Sequence, residues 1–171
     1  MNRYGLTEYS NRVSYITGDY RALEAMIAPS SIDYIYSNAV LEHVADPEAL
    51  FNVLGKVLAL DGVMFHRVDL RCHNRFRRHG ELYFHTFSPK LWKAMGHNIG
   101  HPNRWLLNDY KRLFEGMGYS VSIKQIQTFS KNVLDDAKCY IPNLYDKTLN
   151  EYETAVFDVD LKWINAKSDL S

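Results

Sequence analysis

Two short stretches of this chain hold side chains that can move a proton or grip a charged molecule: Glu42-His43, and the run from His66 to His79. Imidazole titrates nearest neutrality, so His43, His66 and His73 are candidate bases, with Asp69 as a carboxylate in the same run. A histidine in such a place also serves as a plain structural hydrogen-bonder. The spacing of His66, Asp69 and His73 admits a two-histidine, one-carboxylate metal set. Residues three apart on a strand point to opposite faces, however, so His66 and Asp69 converge only if a strand ends between them; no metal is expected. His97 and His101 stand one helical turn apart, but Gly96, Gly100 and Pro102 around them argue for a loop. Five arginines (Arg67, Arg71, Arg75, Arg77 and Arg78) lie between His66 and His79, with Asp69 as counter-charge. That segment reads either as a solvated loop or as a basic lip that recruits an anionic substrate, such as a sugar phosphate or a nucleotide-linked sugar. Few aromatic residues are interleaved with it, which argues against stacking on nucleic-acid bases.

The elements that must position these groups are legible around them. Ile32 to Ser37 is an apolar and aromatic run of strand length, closed by the polar pair Ser37-Asn38. Asp46-Pro47-Glu48 is a helix start: Asp46 can accept orphan amide bonds, Pro47 suits the first helical position, and Glu48 complements the positive end of the dipole. The helix is expected to run to about Ala59, with Leu50, Phe51, Leu54, Val57 and Leu58 on one face. Asp61-Gly62 predicts a turn and Val63 to Val68 a second buried strand, which completes a parallel βαβ unit. In open α/β sheets ligands sit outside the carboxyl ends of strands, so Ser37, Asn38 and Ala39 are placed where a ligand would be. Upstream, Val13 to Thr17 alternates as a strand and stops at Gly18-Asp19, where Asp19 is a turn residue or the cap of a helix from Tyr20 to Ile27. Met1 to Arg12 has no period and is expected to be a poorly anchored lead-in. Downstream, Ser88-Pro89 starts a helix to Met95, and Asn108 caps another from Asp109 to Met117 that Gly118 ends. Tyr119 to Gln125 and Ala155 to Ala166 read as strands. Between them, Leu149 to Val156 reads as helical, and Pro142 breaks anything earlier.

The pattern D-x-I-x-S-N-A-V-L-E-H-V-x-D-P-x-x-L, then a helix and V-L-x-x-D-G, resembles the middle of class I S-adenosylmethionine-dependent methyltransferases of the broad small-molecule group. The usual Pro-Gly-Gly or Asp-Gly-Gly turn is here Leu60-Asp61-Gly62-Val63. Val13 to Leu23 looks like the family's third strand and its acidic end. The segments His66 to His73 and Asn103 to Tyr119 resemble a subgroup often associated with cell-surface polysaccharide or other secondary pathways. The resemblance covers residues 13 to 125. It implies an α/β fold: a partial Rossmann-like methyltransferase sheet with flanking helices and a C-terminal antiparallel strand pair, in a single domain spanning 1–171.

The resemblance also implies a cofactor, S-adenosylmethionine, and residues for it. Asp19 would accept from the adenine amino group and the Tyr20 amide would meet the ring, with Ser37, Asn38 and Ala39 at the end of the next strand. Methyl transfer is an in-line displacement, so the protein must hold donor and acceptor collinear and exclude water. For a hydroxyl acceptor a base is needed. His66 and Asp69, at the end of the family's fifth strand, come first, and His43 second. The implied acceptor is a small molecule or a sugar, anionic if the basic segment recruits it. A non-catalytic binding or regulatory module on the same architecture is the competing reading.

The family's glycine-rich turn and the strands on either side of it have no counterpart in this sequence. In that family two further strands lie between those matched by Val13 to Thr17 and Ile32 to Ser37. Both strands are therefore expected to have an unpaired edge or to pair with each other, and the chain to be incomplete, weak in cofactor binding alone, or a homo-oligomer.

Composition bounds the rest. With 46% hydrophobic residues in 171, the chain buries a core, and 20 basic against 20 acidic residues leave no global field for nucleic acid or an anionic membrane. Cys72 and Cys139 form no metal or disulfide spacing and fit a reducing, cytoplasmic location. No apolar run approaches the roughly 20 residues of a membrane helix, and no secretory leader is expected.

Overall fold

A computed structural model of the chain describes residues 5–10 by their backbone, and 13–72, 80–96, 101–139, 141 and 149–164. The Asp46-Pro47-Glu48 start behaves as its residue types require. Asp46 Oδ1 accepts from the Ala49 amide at 3.0 Å, and α2 (Pro47–Val57) follows. Upstream, α1 (Leu23–Met26) is entered through a single 3₁₀ turn at Tyr20–Ala22. α2 ends two residues short of Ala59, because Leu58 turns extended and opens β4 (Leu58–Asp69).

β3 (Ile32–Asn38) runs parallel to β4, with Ser37 opposite His66 and Asn38 opposite Arg67. β6 (Thr154–Trp163) lies antiparallel on the other side of β4, and β5 (Tyr119–Thr128) antiparallel on β6, giving the order β3-β4-β6-β5. The parallel βαβ unit and the C-terminal antiparallel pair are thus present in an α/β sheet with flanking helices.

The expected turn at Asp61-Gly62 is instead a bulge inside β4. Ile32 pairs with Leu58 and Tyr34 with Val63, so β4 spends extra residues between two successive contacts. Glycine serves close approach here: a Cβ on Gly62 would stand 2.7 Å from the Leu58 side chain and 2.9 Å from the Ala59 carbonyl.

One sheet face makes the core. Met64 and Val68 of β4 with Phe157, Val159 and Leu161 of β6 pack against Phe51 and Leu54 of α2 and against Tyr110 and Phe114 of α4 (Leu107–Gly116). Burying each such side chain stabilises the fold by about 1.5–3 kcal/mol. The opposite face is wetter. Tyr34 and Tyr36 are each 59% exposed, Tyr36 stacks on Phe65 with centroids 5.8 Å apart, and Arg67 forks onto Asp158 at 2.6 and 2.8 Å.

Several local expectations are corrected. β1 (Gly5–Ser10) makes the lead-in a strand, paired antiparallel with β2 (Val13–Thr17), because a hairpin partner satisfies backbone groups that composition alone leaves open. β2 does not join β3; with β1 on one side of it, β2 keeps one unpaired edge, as does β3, among the described residues. Asn108 lies inside α4; the Asp109 carboxylate reaches back to accept from the Leu106 amide at 2.8 Å, which moves the start upstream. Gly118 does end it, with φ +85°. α3 (Pro89–Met95) has the expected bounds, and Ser88 Oγ accepts from the Leu91 amide. α5 (Lys131–Ala137), capped by Ser130, forms upstream of Pro142, and Leu149–Tyr152 is one 3₁₀ turn before β6. The expectations resting on His73, Arg75, Arg77, Arg78, His79, His97 and Pro142 lie outside the described residues.

Candidate active site

The carboxyl ends of the parallel pair β3 and β4 open onto one irregular segment. Ala39, just past β3, has φ +53°, a conformation that costs a non-glycine residue free energy, and its amide donates to the Arg67 carbonyl at 2.9 Å. The chain then makes a 3₁₀ turn, Leu41–His43, with Leu41 and Glu42 buried and His43 half-buried. Asn103, sixty residues downstream, clamps that turn. Its backbone amide donates to the Glu42 carbonyl at 2.7 Å, and its Nδ2 to the carbonyls of Leu41 and Val44 at 2.9 and 3.0 Å. The Tyr110 hydroxyl lies 3.1 Å from the same nitrogen. On the other flank the Tyr20 hydroxyl donates to the Asp46 carbonyl at 3.2 Å, which brings the Asp19-Tyr20 corner against the loop that follows β3.

Glu42 stands beside His43 in the sequence but is not among the candidate bases read from it. Its side chain is 3% exposed, and burial pushes its carboxyl up to about 7. The nearby charge of Asp69 adds to the rise, while the backbone amides of Glu42 and Asp69 pull the other way. A carboxyl near its midpoint at neutral pH can both take and give a proton. The available signal was its setting, an acid in one turn between Val40, Leu41 and Val44.

His66 faces the core. It is 1% exposed, its Nδ1 lies 2.7 Å from Ser37 Oγ, and its ring meets Phe51 edge to face at 5.3 Å. Burial holds its imidazole down to about 4, so it is neutral at physiological pH. β4 runs unbroken through Asp69, so the strand separates His66 and Asp69 to opposite faces. Asp69 is gripped by Arg71, whose Nε and Nη2 donate at 2.8 and 2.6 Å and whose backbone amide adds a third bond at 3.0 Å. Arg71 is consequently engaged locally. Asp19 caps the Tyr20–Ala22 turn by accepting from the Arg21 amide at 3.0 Å, and that bond holds its carboxyl below the usual range, with the Arg21 guanidinium helping. The fold therefore gathers Ser37, Asn38, Ala39, His43 and the Asp19-Tyr20 corner around one end of β3. His66 adjoins this group through Ser37 and Asp69 through Glu42, from opposite faces of β4.

Among the described residues no three His, Cys, Asp or Glu side chains converge as a metal site, and no helix is long and apolar enough to cross a membrane. A cavity of about 330 Å³ adjoins the clamped turn, between Ala45 and Asn103 on one side and α3 on the other.

A family model described as a methyltransferase domain matches residues 7–122. Among solved structures, phosphoethanolamine N-methyltransferase 2 of Haemonchus contortus in complex with S-adenosyl-L-methionine superposes with a TM-score of 0.55 at 14% identity. The match covers 91% of this chain and 38% of that one, so the chain spans well under half the length of that enzyme. A putative S-adenosylmethionine-dependent methyltransferase from Listeria monocytogenes gives 0.52 at 11% identity, covering 90% of this chain and 70% of that one. No curated protein matches the sequence.

Proposed function

We propose, since the chain belongs to the family of methyltransferase domains, that it catalyses S-adenosylmethionine-dependent methyl transfer to a hydroxyl of a small-molecule or sugar acceptor. The observation that supports the reading best is the convergence at one sheet end. The Asp19-Tyr20 corner and Ser37 to Ala39 flank a turn that carries a half-buried imidazole and a buried, near-neutral carboxyl.

The residues present fit the adenosine side of such a donor. The Asp19 carboxylate stays exposed, with lone pairs beyond those used by Arg21, and Ala39 takes a positive φ just past the carboxyl end of β3. Bound there, S-adenosylmethionine would supply an electrophilic methyl group with S-adenosylhomocysteine as its leaving group, and a protein base would take the acceptor's hydroxyl proton. The chain's own task is placement and proton removal. Asn103 holds the Leu41–His43 turn rigid, so His43 keeps its position relative to the strand end. His66, neutral and bonded to Ser37, fixes the serine hydroxyl. Asp69 is braced by Arg71 at the end of β4.

Isothermal titration of the 171-residue chain with S-adenosylhomocysteine tests the reading, and the absence of heat at millimolar ligand would favour a non-catalytic binding module. Within that experiment Asp19→Ala is expected to weaken binding by roughly 10- to 100-fold, the usual consequence of leaving a polar partner unmatched. Turnover at saturating donor should survive. An unchanged affinity leaves Asp19 as a helix cap alone.

The edge of β3, unpaired among the described residues and with Tyr34 and Tyr36 exposed beside it, supports a homo-oligomer formed through that edge. Tyr36→Lys should then shift the sedimentation coefficient from oligomer to monomer. A monomeric unsubstituted chain would remove this part of the proposal. Cys72 and Cys139, which form no disulfide, fit a cytoplasmic location.

A further inference from the structure

The cavity beside the clamped turn has the size, wall chemistry and rigidity of a small-ligand site. At about 330 Å³ it stands at the small end of the range that ligand pockets occupy, roughly 300–1,000 Å³. Pro89, Pro102, Ala45 and Trp92 make apolar walls, and among the described residues no carboxylate lines it. The charge it presents is positive. Lys93 lines the cavity and forms no ion pair among the described residues, and the Arg104 guanidinium lies 4.9 Å over the Trp92 ring, just behind the wall.

The walls are held in place before any ligand arrives. Trp92 Nε1 donates to the Pro102 carbonyl at 3.0 Å, the His101 ring packs 3.8 Å from the indole, and Arg104, itself at φ +66°, donates to the Phe87 carbonyl at 2.6 Å. Such locking spares a ligand the cost of ordering its own site. Asn103 belongs both to this cavity and to the clamp on Leu41–Val44, so the cavity wall is continuous with the turn that carries His43.

We infer that this cavity is the acceptor site of the proposed methyl transfer, and that it takes a small monoanionic organic acid with a compact apolar body, no larger than one substituted ring. The inference rests on the methyltransferase reading for the word acceptor and on the cavity alone for the ligand class. A single lysine offers a point charge suited to a carboxylate, whereas phosphate sites recruit several donors or an arginine fork, and a nucleotide-linked sugar exceeds the volume.

The probes are 4-hydroxybenzoate, its neutral isostere 4-hydroxybenzamide, the cation tyramine, and phenyl phosphate, titrated into the ¹⁵N-labelled 171-residue chain. The Trp92 indole N–H resonance, assigned with Trp92→Phe, reports occupancy. The carboxylate should bind at least about tenfold more tightly than the amide, the worth of one charge-assisted contact, with tyramine weakest and phenyl phosphate no tighter than the carboxylate. Lys93→Gln, on an exposed side chain, should reduce the carboxylate to the amide's affinity. Gly96→Ala should weaken carboxylate and amide alike, because a Cβ there stands 2.9 Å from His101 Cδ2. Equal affinity for acid, amide and amine, shifts that spare Trp92, or no binding by any acid would overturn the inference, and tighter phenyl phosphate would replace the carboxylate by a phosphate. Titration with S-adenosylhomocysteine in parallel separates the two readings. Acid binding without cofactor binding sinks the methyltransferase reading and leaves a ligand site, whereas cofactor binding without acid binding sinks the acceptor site alone.

Discussion

Glu42→Gln should make the protein more stable at pH 8 by about 3 kcal/mol and leave its stability at pH 4.5 nearly unchanged. The cause is a carboxyl that burial lifts from its ordinary 4.5 to about 7. Below 4.5 it is protonated in both folded and unfolded chains and costs nothing. Between 4.5 and about 7 the folded state holds a proton that the unfolded state has released, so stability falls as pH rises. Above about 7 the ionised carboxylate stays buried at full cost, and glutamine, neutral throughout, avoids it. His66 slopes the other way. Burial lowers it from 6.5 to about 4, so the stability it contributes is complete above 6.5 and is lost as pH falls through about 4. From 4.5 to 6.5 the two groups oppose each other in the unsubstituted chain, and the glutamine variant should expose the acid destabilisation of His66 by itself. Urea unfolding at pH 4.5, 6 and 8 measures both effects. A difference between the two proteins that does not change with pH would show that Glu42 titrates normally.

Removing the proton acceptor should lower turnover on the order of 10²–10⁴-fold. The geometry supports His43 as the position where that loss is greatest. It stands on the turn immediately after β3, half-buried, held by the Asn103 clamp. His66 is sealed at 1% exposure and bonded to Ser37, and Asp69 has its oxygens occupied by Arg71. His43→Ala should therefore reduce kcat at saturating donor and acceptor with little change in KM. His66→Asn should move kcat less and act through Ser37, while Asp69→Ala should release Arg71 and mainly alter acceptor KM. Glu42→Gln distinguishes a relay from a bystander. If Glu42 passes the proton onward, its glutamine variant removes the inflection of kcat/KM near pH 7. A His43→Ala enzyme with undiminished kcat would transfer the role to one of the other two.

Local chemistry decided much of this protein within the sequence itself. Asp46-Pro47 and Ser88-Pro89 start helices because a side-chain acceptor and a pre-set φ act within one turn, with no distant partner required. The apolar run of β3 and the alternation of β5 and β6 are likewise properties of a few successive residues, and the α/β class follows from them. Tertiary structure decided whatever depends on a partner far along the chain. Gly5–Ser10 became a strand because β2 was there to pair with it, and Asp61-Gly62 became a bulge because β3 holds the strand on both sides of it. Asp109 rather than Asn108 set the start of α4, through a bond that reaches backward to Leu106. At the candidate site the dependence is stronger still. His43 and Asp46 were visible as residue types, but the raised carboxyl of Glu42, the depressed imidazole of His66 and the cavity beside α3 arise from burial and from Asn103, contacts spanning tens of residues that no local pattern encodes.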